Sequence, residues 1–274
     1  MSQFEYDGRK YHGVPHWGSI GQIFIWVENA PPYLHSVGMS YAIRDLVKYG
    51  SDAVPRLSKK LLTSKSAFMK RVAVFALREI GDKRALDALW TVFNNKEDET
   101  NPWYDTLLTI SILQDERLFD ELVPLLPKRD LTIMMAMGNL ADTRAIPLLI
   151  PYIEQEEKTF RDIVHAVEVN PTQFNNLDEL LEQVKNILRE RKIIVEALGK
   201  IGGADAIQVL AKIVHAPEMN VLQFSMYDRL RCDAITALGK IDHPQAIAVL
   251  ESALTHQKYG VRRMARRLLK KHQA

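Results

Sequence analysis

A single cysteine, Cys232, stands in 274 residues, so no internal disulfide is available and the chain reads as one that folds in a reducing compartment. Long apolar runs are missing too, and with them any sequence expected to span a membrane. The opening MSQFEYDGRKYHG has no apolar signal-peptide core, and a cytoplasmic location is expected. Neither sign of charge dominates. Lys and Arg number 36 against 34 Asp and Glu, a formal charge of +2, which predicts no strong global attraction to nucleic acid or membrane. Phosphate-binding glycine loops, dinucleotide fingerprints, H-E-x-x-H, C-x-x-C and G-x-S-x-G are all absent. No catalytic residue, cofactor or metal is therefore expected, and a binding protein is expected before an enzyme. The composition itself is ordinary, with 47% hydrophobic and 26% charged residues, which excludes wholesale disorder.

What the sequence does contain is a recurring phrase. Residues 71–93 read RVAVFALREIGDKRALDALWTVF, residues 193–214 IIVEALGKIGGADAIQVLAKIV, and residues 231–254 RCDAITALGKIDHPQAIAVLESAL. Looser copies lie at 132–153, 104–126 and 41–62, and 259–271 begins another that stops after one helix. Each copy is an apolar helical stripe, a short turn and a second stripe. In the copy at 71–93, Val72, Phe75, Ala76, Leu77 and Ile80 line the first helix. Gly81 is placed to close it in a left-handed conformation, and Asp82 to cap the next helix. Ala76, Ala136, Ala197 and Ala237 share one position, where a small side chain lets two helices approach. The turn markers Asp82, Asp115, Asp142, Gly203 and Asp242 are separated by 33, 27, 61 and 39 residues, so the third interval holds an insertion. The one strand-like stretch, Ile20–Val27, reads equally well as a buried helix.

The pattern A-L-x-x-I-G-x-x-x-A-I-x-x-L resembles the short HEAT-like repeats named after the phycobilisome lyases. Ala197-Leu198 with Ile201-Gly202, Ala206-Ile207 and Leu210 carry the resemblance, as do Ala76-Leu77 with Ile80-Gly81-Asp82, Ala85-Leu86 and Leu89. Ala237-Leu238 with Ile241-Asp242, Ala246-Ile247 and Leu250 match except that Asp replaces Gly. The resemblance implies an all-α, α-α superhelix: a HEAT-like solenoid of about six helical-hairpin repeats. It divides the chain into an aromatic N-terminal cap (1–39), repeats (40–153), a helical insertion (154–191), and repeats ending in a basic C-terminal helix (192–274). Families with such repeats include bilin lyase subunits and many adaptors.

Specificity is expected where the repeat breaks. The segment 1–39 carries Tyr11, Trp17, Phe24, Trp26 and Tyr33, suited to covering the first repeat's apolar face or to docking. His12 and His16 lack acidic or cysteine partners at ligand spacing, so no metal site is expected there. In the insertion, Leu180, Leu181, Val184, Ile187 and Leu188 fall on one helical face that continues through Ile194, Leu198 and Ile201. This predicts an elongated helix, capped by Asn176, with a partner helix at about 157–168 folded against it. The tail 258–271 holds Lys258, Arg262, Arg263, Arg266, Arg267, Lys270 and Lys271 and no acidic residue, with Val261, Met264, Ala265 and Leu268 opposite.

Three readings of function follow. The first is an adaptor that binds another protein on the curved repeat surface. Asp-x-Arg recurs at Asp82/Arg84, Asp115/Arg117 and Asp142/Arg144, and matching positions in stacked repeats would align Arg84, Arg117 and Arg144 as a ladder for carboxylates or phosphates. Alternatively, these arginines pair internally with the Asp of the neighbouring repeat. Trp103 and Tyr104, after the acidic loop KEDET, add an aromatic candidate, and Arg262, Arg263, Arg266 and Arg267 a basic one. The second reading, from the resemblance alone, is a bilin lyase-like subunit that attaches or detaches a chromophore on a phycobiliprotein. The third, nucleic-acid binding through the basic last helix, is disfavoured by the near-neutral charge. Cys232 reads as an inert helical cysteine, and His165 with Asp162 as a surface pair.

Overall fold

The computed structural model describes residues 3–6, 9–12, 17–169, 177–216 and 225–272. The fold is an all-α, HEAT-like solenoid of paired helices, preceded by one small β-hairpin. That hairpin, β1 (Gln3–Tyr6) with β2 (Arg9–His12), is antiparallel with Gln3 opposite His12. It lies outside the repeats and leaves the all-α class unchanged. Its signal was the Asp7-Gly8 dipeptide between the two runs, a strong turn pair for two-residue links.

Two compact units divide at Asp115 and Glu116. The first contains α1 (Ile20–Asn29), α2 (His35–Val47), α3 (Val54–Thr63), α4 (Ala67–Ile80), α5 (Leu86–Asn94) and α6 (Trp103–Ile112). The ambiguous stretch Ile20–Val27 is helical. Ile20, Ile23, Phe24 and Val27, spaced i, i+3, i+4 and i+7, are buried, and the Ser19 hydroxyl accepts from the Gln22 amide at the helix start. α1 packs on α2 and α4, and α4 also meets α3 and α6. Gly81 closes α4 at φ +73°, a left-handed conformation without penalty for glycine. Asp82 then accepts from the Arg84 amide at 2.9 Å and opens the 3-10 turn that leads into α5.

The second unit contains α7 (Arg117–Leu122), α8 (Leu131–Leu140), α9 (Ile146–Val169), α10 (Leu177–Ile201), α11 (Gly203–Val214), α12 (Ser225–Leu238), α13 (Pro244–Ser252) and α14 (Tyr259–His272). α8, α10, α12 and α14 form one row of neighbours; α9, α11 and α13 form the other. The first row is drawn tight by glycine against alanine. A Cβ on Gly138 would lie 2.6 Å from the Cα of Ala197, and one on Gly199 2.7 Å from the Cβ of Ala237. The shared alanine position is thus half of the device. The other half is the glycine two residues later in the preceding repeat, which the sequence reading passed over.

The insertion takes the form of length. No separate helix stands at 157–168, because α9 runs unbroken through it, with Pro151 inside. α9 and α10 are 24 and 25 residues long, and Phe160, Val184 and Ile187 make a small buried cluster joined by Ile163, Leu188 and Ala216. Arg129, itself at φ +55°, pairs with Glu156 of α9 and, at 2.8 Å, with Glu190 of α10. One residue of the acidic run is therefore buried in an ion pair rather than displayed. The cap position Asn176 lies outside the described residues, as does His16. Among the described residues no helix is long and apolar enough to cross a membrane, and no cluster of His, Cys, Asp and Glu suits a metal.

Candidate functional site

The Asp-x-Arg motifs do not share one geometry. In the first, Arg84 folds back on its own turn: Nε donates to both Asp82 oxygens at 3.1 and 3.0 Å, and Nη2 to Oδ2 at 2.7 Å. Nη2 also donates to the Ser51 carbonyl at 3.0 Å. These donors hold the Asp82 carboxyl far below the usual carboxylate range. Arg144 repeats the arrangement on Asp142, with Nη2 to Oδ2 at 2.6 Å and its guanidinium 4.1 Å from the centre of the Phe119 ring. Asp120, in α7, lies 4.0 Å away. The middle motif departs. Asp115 is buried and accepts from Trp90 Nε1 at 2.9 Å, while α7 begins at Arg117 behind Glu116. In the first and third motifs the pairing expected between neighbouring repeats is instead made chiefly within the turn. A two-residue step brings the planar guanidinium onto the carboxylate that already caps the turn. Arg84 belongs to the first unit, Arg117 and Arg144 to the second.

In the first unit, Trp103 is anchored. Its Nε1 donates to the Phe93 carbonyl at 3.0 Å and its ring stacks on Phe93 at 5.2 Å. Trp90 meets Phe93 edge-on, and Tyr104 meets Trp103 edge-on at 5.0 Å. The acidic loop before them is strapped down. Lys70 is buried, and its ammonium donates to Asp98, Thr100 and Asn101, each at 2.7 Å. All three donors are used. The Lys70 and Thr100 donors pull the Asp98 pKa down to about 2.

α6 then shows a partly inverted face. Thr106, Thr109 and Ser111 are buried, two of their hydroxyls turned to the helix's own carbonyls of Asp105 and Leu108. Outward, Tyr104, Leu108 and Ile112 stand at i, i+4 and i+8. Tyr104 is 54% and Ile112 44% exposed, with Leu108 between them half-buried. Sequence reasoning found Tyr104 but missed Leu108 and Ile112. Their spacing was legible; that the apolar stripe faces outward was not.

In the second unit, the basic residues of α14 separate into two roles. Arg262 is structural: Nη1 donates to the carbonyls of His256 and Gln257 at 2.6 Å each, tying down the approach to the helix. Arg263, Arg266, Arg267 and Lys270 line an open cleft of about 580 Å3 with Gly260, Met264 and Cys232. Met264, expected on the apolar face, lies in this cleft instead, where its sulfur meets Arg267 Nη2 at 2.9 Å. The buried face is Val261, Ala265, Leu268 and Leu269. Burial pushes the Cys232 thiol up, and the neighbouring Arg231 does not reverse it. Arg231 instead reaches Asp228 at 2.7 Å and the Ala216 carbonyl at 2.8 Å. A thiol kept protonated is a poor nucleophile.

Two stretches, residues 69–89 and 230–256, match the PBS lyase HEAT-like repeat, and they fall on α4–α5 and α12–α13. No curated protein matches the chain. Among solved structures it is similar to the complex of CpcE and CpcF of phycocyanin lyase from Nostoc sp. PCC7120, at 15% identity over 97% of this chain and 99% of that one, with a TM-score of 0.48. Human deoxyhypusine hydroxylase in complex with glycerol is 16% identical over 93% and 96%, with a TM-score of 0.34. A designed armadillo repeat protein is 16% identical over 92% and 99%, with a TM-score of 0.25.

Proposed function

We propose that this chain is a protein-interaction adaptor, a helical-repeat scaffold that binds a partner protein, in the reducing cytoplasm to which its single cysteine is suited. The observation that carries the reading is the outward stripe of α6. A helix that buries three hydroxyl side chains while leaving Tyr104 and Ile112 in water departs from the pattern folding alone favours. Tyr104 is also held edge-on by an anchored Trp103, so little side-chain freedom is lost when a partner covers it. Rigid aromatic anchors of this kind dominate interface energetics.

The test is an affinity capture from native lysate with the wild-type chain and with Tyr104→Ser/Ile112→Ser, both checked for folding by circular dichroism. The expected result is a discrete partner whose recovery falls roughly tenfold or more in the double variant. Equal recovery by both proteins, or nothing above background, overturns the reading. A bilin lyase-like subunit is the second reading, favoured by the PBS lyase type of the repeats at 69–89 and 230–256. A coloured eluate carrying phycobiliproteins puts it first.

A further inference from the structure

The charge of the chain is unevenly placed. Seven of its 36 Lys and Arg lie in 258–271, a stretch without any Asp or Glu, so the remaining residues hold 29 cations against 34 anions. Most other well-placed cations of the candidate regions are already neutralised. Arg84 and Arg144 sit on their own aspartates, Lys70 on Asp98, and Arg129 on Glu156 and Glu190. Arg263, Arg266, Arg267 and Lys270 differ: among the described residues none of them makes an ion pair, and all four line one cleft. The nearest carboxylates along α12 do not line it, and Asp228 is taken by Arg231 and Lys258.

We propose that the α14 cleft is a docking site for a short acidic segment of the partner protein, a deepening that rests on the adaptor reading. The geometry selects the ligand class. Positions 263, 266, 267 and 270 cover two helical turns, about 10 Å along the axis. An extended chain crosses that length in roughly three residues, so two or three carboxylates suffice to meet the four cations. Guanidinium forks take carboxylates two bonds at a time. The floor is neutral and soft, made by Met264, Gly260 and the protonated Cys232 thiol, and leaves room for a small apolar side chain between the acidic ones. A nucleic acid fits less well. Its affinity grows with the number of phosphates neutralised, and beyond α14 this chain carries an excess of negative charge.

The full-length protein is titrated into a fluorescein-labelled peptide of alternating Glu and Leu with two Asp, and binding is read by fluorescence anisotropy at low and moderate salt. The all-Gln counterpart of the peptide and a labelled oligodeoxythymidine serve as comparators. The expected result is salt-sensitive binding to the acidic peptide alone, weakened at least tenfold by Arg263→Glu/Arg266→Glu and several-fold by Lys270→Gln. Lys212→Glu, an exposed lysine of α11, leaves it unchanged. Lys270→Gln keeps the test decisive if the double variant does not fold. Three results overturn the proposal: no binding, equal loss in Lys212→Glu, or tighter binding to the oligonucleotide. Failure here combined with Tyr104-dependent capture of a partner defeats the cleft and leaves the adaptor intact. Loss of Tyr104-dependent capture with peptide binding preserved defeats the adaptor surface on α6 alone.

Discussion

The same phrase, A-L-x-x-I/L, packs differently in the two units. In the second unit the residue after Ala-Leu or Ala-Met is glycine at 138, 199 and 239, and for the first two of these the next helix comes in until backbone nearly meets backbone. In the first unit the corresponding residue of α4 is Arg78, whose guanidinium lies 4.3 Å from the centre of the Phe75 ring. There the neighbouring helices α2 and α4 leave a groove of about 340 Å3 lined by Ile43, Val47, Phe75 and Arg78, among others. The buried leucine is common to both units, whereas the glycine two residues past the alanine, which lets the following helix approach closely, is present only in the second.

The largest expected effect tests what the two units share. Leu77 and Leu198 occupy the same repeat position and both are fully buried, so Leu77→Ala and Leu198→Ala are each expected to cost about 2–5 kcal/mol. Urea denaturation followed by circular dichroism measures it. A loss below about 0.5 kcal/mol for either one breaks the equivalence of the two copies.

The next effect tests what they do not share. Gly199→Val places a branched side chain against the Ala237 backbone and is expected to cost about 1–3 kcal/mol. The reciprocal change, Arg78→Gly, removes helix propensity, a cation over a ring and a partly exposed ion pair with Glu79, together about 1 kcal/mol. Equal losses for the two variants would mean that the glycine position does not set the helix approach.

The smallest effect is on pH. Asp98 has a folded pKa of about 2, below its ordinary 3.8, and Asp82 and Asp142 are lowered as well by their arginines. A depressed carboxylate contributes stability that is complete above its unfolded pKa and lost as pH falls through the folded one. The melting temperature is therefore expected to be flat down to about pH 4 and to fall between pH 4 and 2. Lys70→Met should flatten that fall. An unchanged acid limb in this variant would remove the Lys70–Asp98 strap from the account.

Much of the candidate site was legible in the sequence, but as composition rather than arrangement. Arg263, Arg266 and Arg267 were legible as a basic stripe because seven cations without one anion cannot all be balanced locally. That Arg262 leaves the stripe to bind two carbonyls depends on where the 253–258 turn runs, which no helical period encodes. Arg84 and Arg144 looked available for the opposite reason: a two-residue spacing says that a fork can reach its neighbour, not that it does. Lys70, whose ammonium orders the 98–101 loop, was unmarked, since a lysine inside a helix carries no sign of burial in its own sequence.

Legible from the residues alone were the helical pairs, their turns at Gly81 and Asp82, the buried faces of α4 and α10, and the extra length of α10. Those features are local: helical period, capping oxygens and a left-handed glycine act within a few residues of one another. Tertiary packing settled the rest: that α9 runs unbroken through the insertion, that the compact units part at Asp115, that α6 turns Tyr104 and Ile112 outward, and that four cations of α14 make no ion pair among the described residues around one cleft. Each of these depends on which distant surface reaches a side chain first, and burial and charge pairing are properties of that meeting rather than of either segment alone.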